Sequence, residues 1–124
     1  PISFQMQDLA SAVEVGKALA AVLADKNAVV IASSDMTHYE PQKTAAAKDM
    51  AALKAVEALN EREFYAVIDK QDVTACGYGP IAALIAAAKG LSAKEAIVLC
   101  YRSSGDVTGD FSSVVGYAAV CFRK

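Results

Sequence analysis

Three short stretches of this chain carry side chains able to do chemistry. The first is Ser33-Ser-Asp-Met-Thr-His-Tyr39, which holds the only histidine, His38, three residues after Asp35. An imidazole and a carboxylate so spaced can orient each other, hold a metal or exchange a proton. A solvated turn is the plainer use of the same residues. The second stretch is Cys76-Gly-Tyr-Gly-Pro80. Pro80 suits the first position of a helix, so Cys76 stands just ahead of a helix start, where the dipole favours thiolate. A thiolate there can ligate a metal or act as a nucleophile. The other reading is a small buried cysteine at a tight turn. The glycines do not form a dinucleotide fingerprint, because the third is absent and no strand directly precedes them. The third stretch, residues 103–112, holds Gly105-Asp106 and Gly109-Asp110. It lacks the oxygen donors of a calcium loop, and turn chemistry accounts for it. If the loops converge, a carboxylate, an imidazole and a thiolate suit zinc, copper or iron. They equally suit a Cys–His nucleophile pair.

The elements that must position these residues follow from hydrophobic spacing. Residues 28–32, Ala-Val-Val-Ile-Ala, run directly into the first stretch and read as a buried strand. Ligands in open α/β sheets gather just past the carboxyl ends of strands, which is where Asp35 and His38 would then stand. Residues 2–6 read as a short strand. Residues 8–24 read as a helix with Leu9, Val13, Gly16, Ala20 and Leu23 on its apolar stripe and Asp8 in its first turn. Pro41 and Gln42 open a second helix to about Leu59, with Met50, Leu53 and Val56 inward. Asn60 separates it from a third helix over residues 61–70, anchored by Phe64, Val67 and Ile68. Residues 80–89 are almost entirely alanine, isoleucine and leucine, the pattern of a helix buried on all sides, with Gly90 as its cap. Residues 95–102 and 113–122 are strands, and Cys100 and Cys121 within them are expected to pack in the core. Tyr78, Tyr101 and Tyr117 are amphipathic packing residues that could each lend a hydroxyl to a pocket. Alternating strands and helices give an α/β class.

The 124 residues fit one small domain, yet 55% are hydrophobic and mean hydropathy is +0.30. A small domain buries a modest fraction of its surface, so this excess points to apolar area covered by another chain or by further sequence. No apolar run reaches the ~20 residues of a membrane span, and no signal peptide is visible. Net charge is −2 with scattered basic residues, which argues against nucleic acid as a partner. Three widely spaced cysteines form neither a disulfide framework nor a zinc ribbon. Reduced thiols in a cytoplasmic protein are the expectation.

Taken in order, Ser33 to Pro41, Cys76 to Ile81, and Tyr101 to Asp110 followed by Val114-Val-Gly-Tyr-Ala-Ala119 closely resemble the motifs of the Memo family, also called AmmeMemoRadiSam system protein B. Tyr39-Glu40 after His38 resembles its prokaryotic branch. The resemblance is to the C-terminal half of the family's single domain, and members' N-terminal half carries further histidine blocks. It implies part of a layered α/β/α fold similar to class III extradiol dioxygenases, which use non-haem iron. It implies a metal site that joins two N-terminal histidines to a cysteine aligned with Cys76, in a cleft also lined by residues aligned with Asp35 and His38. It further implies metal-dependent redox chemistry and, in animals, signalling-protein binding.

The expected assignment is therefore Cys76 as metal ligand, His38 as second ligand or general acid/base, and Asp35 as its orienting partner. Iron, copper or zinc would be the metal of the complete protein, and the missing N-terminal half or a second copy of the chain its partner. The alternative is a non-enzymatic module that binds a peptide or small ligand in the same cleft.

Overall fold

A computed structural model describes residues 1–124. Helix α1 (Leu9–Leu23) begins where the Asp8 carboxylate accepts the Ser11 N–H at 2.9 Å, filling a donor the first turn would leave unpaired. Its buried residues, Ala12, Gly16 and Ala20, recur every four positions. They form a seam of small side chains that lets α4 (Tyr78–Gly90) approach closely. Pro41 caps α2 (Gln42–Glu57). Asn60 then caps α3 (Glu61–Gln71), its side chain accepting the Glu63 N–H. Asp72, in the left-handed conformation, ends α3. The core gathers Ala12, Met36, Leu53, Val56, Phe64, Ala83 and Ile85 from α1, α2, α3, α4 and the segment before β1. Met50 is more exposed than its spacing on α2 suggests.

The sheet is small and antiparallel. Its order is β1 (His38–Glu40), β3 (Val114–Arg123), β2 (Glu95–Ser103). The β2–β3 connection contains a one-turn helix, α5 (Gly105–Thr108). Helix α2 packs on both long strands, where Val98, Tyr101, Ala118, Val120 and Phe122 meet the core. The chain is thus of mixed α/β class, with five helices and three strands. No helix is long and apolar enough to cross a membrane.

Several sequence expectations need correction. Residues 2–6 form no strand, since no neighbouring strand pairs with them; Ile2 and Met6 stand exposed. Residues 28–32 run without assigned strand structure, and Val29 and Ile31 are 86% and 83% exposed. The ladder between β1 and β3 covers only Val114 and Val115. Beyond it the two segments flank an apolar cleft of about 510 Å³, floored by Leu84, Ala87 and Ala88 of α4. Cys100 and Cys121 are exposed rather than in the core. A register shift between Val98 and Cys100 adds a residue to β2 and breaks its alternation, so Leu99 and Cys100 both face outward. Cys121 points away from the helices simply because its neighbours Val120 and Phe122 point toward them. Helix α4 starts two residues before Pro80, and Leu91 rather than Gly90 caps it.

Candidate metal centre

The stretch that runs into β1 and the one before α4 meet at a single point. Asp35, His38 and Cys76 each offer a ligand atom, all within 4.8 Å of one another. The three residues lie on two segments about 40 residues apart, so only tertiary packing unites them.

His38 is gripped from Thr74. Its backbone N–H donates to Thr74 Oγ1 at 2.8 Å, and Nδ1 lies 2.8 Å from the Thr74 carbonyl oxygen. A carbonyl can only accept, so Nδ1 carries the proton in the neutral ring. That leaves the Nε2 lone pair free, 3.7 Å from Asp35 Oδ2. This is the tautomer that metal-bound histidines adopt when a backbone carbonyl orients the other nitrogen. The orienting partner at Nδ1 is therefore Thr74, while Asp35 faces the opposite nitrogen. The imidazole is 21% exposed and the carboxylate 48%, so one side of the cluster is open to solvent.

Cys76 is exposed and is fixed from both sides. The Asp35 N–H donates to its Sγ at 3.2 Å, a contact that places partial positive charge beside the sulfur. The Ser34 hydroxyl lies 3.9 Å from Sγ and accepts the Gly77 N–H at 2.8 Å. Gln7 supplies the clamp that α4 lacks at its own N-cap. Its Nε2 donates to the Cys76 carbonyl at 3.0 Å, and its Oε1 accepts the Gly79 N–H at 2.9 Å. Tyr65 in turn donates to the Gln7 carbonyl at 2.8 Å. Burial pushes the Tyr65 hydroxyl up to about 12, with the charges of Tyr78 and Asp8 adding to the effect, so it remains a donor at neutral pH.

The Gly-Asp loop does not join the cluster. Asp106 accepts the Ser103 N–H at 2.7 Å. Asp110 accepts the backbone N–H and hydroxyl of Ser112, and the bond from that hydroxyl, then the one from the N–H, hold its carboxyl below the usual range. Both carboxylates serve their own turns, as their spacing with glycine suggests. Of the tyrosines, Tyr78 packs edge-on against Tyr65, Tyr117 is exposed, and Tyr101 donates to Asp49.

The donor set fits a transition metal. Sulfur, imidazole nitrogen and carboxylate oxygen are the ligand types of zinc, copper and non-haem iron. Sequence reasoning named the three residues that the structure brings together but missed Thr74 and Gln7, whose contacts reach 36 and 69 residues away.

The family model described as Memo-like protein matches residues 1–121. A MEMO1 family protein of Methanocaldococcus jannaschii is 47% identical over 121 residues, covering 96% of this chain and 42% of that protein. One from Methanopyrus kandleri is 46% identical over 126 residues, covering 100% of this chain and 44% of its own length. One from Nitrosopumilus maritimus is 43% identical over 122 residues, with 98% and 44% covered. The chain therefore spans less than half the length of these curated relatives.

Proposed function

Because this chain belongs to the Memo family, we propose that it is the C-terminal portion of a layered α/β/α, dioxygenase-like protein in which Cys76 and His38 ligate a metal ion. The observation that supports this most directly is the His38 tautomer: Nδ1 is held on Thr74, and Nε2 is free on the side of Asp35 and Cys76. Cys76 Sγ, beside the Asp35 N–H, is the anionic ligand. The half-exposed Asp35 carboxylate, whose Oδ2 lies 3.7 Å from His38 Nε2, takes or returns a proton there. Iron, copper or zinc bound there would supply Lewis acidity, and iron or copper one-electron chemistry as well. The N-terminal half characteristic of the family completes the ligand set and is the partner of this chain.

Cobalt(II) titration of the chain tests the assignment, because thiolate ligation gives an intense near-ultraviolet charge-transfer band. The band is expected in the wild type, absent in Cys76→Ser and at least tenfold weaker in affinity in His38→Ala. Unchanged binding in both variants would refute it. The second reading, a module that binds a peptide or small ligand without turnover, draws its support not from the cleft of Asp35, His38 and Cys76 but from a separate apolar cleft beside residues 28–32, which none of the three lines. It predicts a metal-free protein whose ligand affinity is indifferent to Cys76→Ser.

A further inference from the structure

Asp49 is the least expected residue in the interior. It lies in the middle of α2, among Ala45, Ala52, Leu53 and Val56, and is fully buried. No lysine or arginine lies within ion-pair distance of it; the ion pairs of the chain join other residues. A buried carboxylate with no counter-ion is costly unless hydrogen bonds replace its water. Here they do. Oδ1 accepts the Thr37 N–H at 3.0 Å and the Thr37 hydroxyl at 2.6 Å, while Oδ2 accepts the Tyr101 hydroxyl at 2.7 Å. Burial above all, then the bond to Asp49 and the charges of Asp49 and Asp106, raise Tyr101 well above its ordinary range, so it stays a donor. Gly116 of β3 makes the room: a Cβ there would run into Asp49 Oδ2 and come within 2.9 Å of the Tyr101 oxygen.

Apolar residues replacing Asp49 together with its side-chain partners could fill the same space, and such whole-set replacement is often neutral or stabilising, whereas removing Asp49 alone would strand the donors of Thr37 and Tyr101. Stability alone therefore does not account for the carboxylate. What it does is immobilise Thr37. The Thr37 carbonyl accepts the Gly116 N–H at 2.9 Å, so N–H, hydroxyl and carbonyl of this one residue are all held. The next residue is His38.

We propose that Asp49 is a positioning residue for the candidate metal centre: by gripping Thr37 it fixes the backbone that carries His38, and so the direction in which Nε2 faces Cys76. The proposal rests on the reading that His38 and Cys76 share a metal. Outer partners of metal-ligating histidines typically govern affinity by 10–100-fold.

The test compares two variants that each take one hydrogen bond from the same carboxylate, because Asp49 substitutions themselves risk unfolding. Thr37→Val removes the bond on the His38 side, and Tyr101→Phe the bond on the far side. Cobalt(II) affinity, urea stability and the imidazole NMR resonances are measured for each; the last are unambiguous because His38 is the only histidine. Both variants are expected to lose stability. Only Thr37→Val should lower cobalt affinity, by about tenfold, and shift the apo imidazole resonances. Thr37→Ser, which keeps the hydroxyl, should restore both. Equal effects of the two variants on affinity, or no effect of Thr37→Val on affinity and resonances, would overturn the proposal. Should the wild type bind no cobalt, the shared-metal reading fails by itself. The positioning role is then decided by the resonances: a shift confined to Thr37→Val upholds it, and no shift overturns it.

Discussion

Gly16→Ala sets two well-characterised effects against each other. Gly16 is at the centre of α1, where glycine costs about 1 kcal/mol relative to alanine, so helix propensity alone predicts a more stable protein. Packing predicts the reverse. A Cβ on Gly16 would press on the Ala83 carbonyl oxygen, sit 2.6 Å from Ala86 Cβ and 3.1 Å from Ala87 N. Carbon atoms in good contact are roughly 3.5–4.0 Å apart, so the Ala86 contact is short by about 1 Å. None of these neighbours has a rotamer to yield, so α1 and α4 must separate along the whole seam. Overpacking of a core costs about 1–3 kcal/mol, and a backbone obstacle belongs at the upper end. Subtracting the propensity gain leaves a net loss of about 2 kcal/mol. At this chain length that corresponds to a fall in Tm of about 8 °C. Urea unfolding followed by far-ultraviolet circular dichroism measures it directly. A Gly16→Ala midpoint at or above that of the wild type would show that the helices have slack, and the close-approach argument would be wrong.

Two further outcomes are expected. Burial pushes the Glu61 carboxyl upward, but the bond from Lys89, the Glu61 backbone N–H and attraction to Lys89 and Arg62 outweigh it and hold the group below its ordinary 4.5. A depressed carboxylate stabilises the fold above its unfolded value and loses that contribution as pH falls through the folded one. Lys89→Ala should therefore cost about 0.5 kcal/mol near neutral pH and nothing in acid; a cost independent of pH would assign the effect to packing of the lysine stem. Second, exposed Val29 and Ile31 beside an apolar cleft should drive concentration-dependent self-association of the isolated chain. Sedimentation should show Ile31→Lys reducing the apparent mass without lowering Tm, and a wild-type monomer across the micromolar range would contradict this.

Helices were the legible part of this sequence, because their apolar spacing and caps are local. Asp8, Asn60 and Pro41 each mark a start that the structure uses. The two long strands were legible too, but not their pairing or their faces. The extra residue between Val98 and Cys100 leaves no trace in composition, and an apolar run does not reveal that one side lacks cover. Residues 28–32 misled for the same reason: their type fits a strand, yet strand structure needs a neighbour. Asp35, His38 and Cys76 could be named in advance because their chemistry is unusual at such positions. Thr74 and Gln7 could not, since they act through backbone groups that any sequence offers. Asp49 did leave a signal, an acidic residue four positions after Ala45 and four before Leu53 on the buried face of α2.

The bonds that draw the cluster together span 36 residues from His38 to Thr74 and 41 from Asp35 to Cys76. Closing a loop of that length costs about 3 kcal/mol of chain entropy, before any single bond within it can offset the loss. That loop holds α2 and α3, which pack against each other in the finished fold. The centre thus exists only where that packing has closed the loop. An unfolded or newly synthesised chain presents its thiol and imidazole as two separate weak ligands, not as a chelate. Capture of an ion at this place would accordingly report that folding is complete, and a bound ion would favour the finished fold over every earlier state.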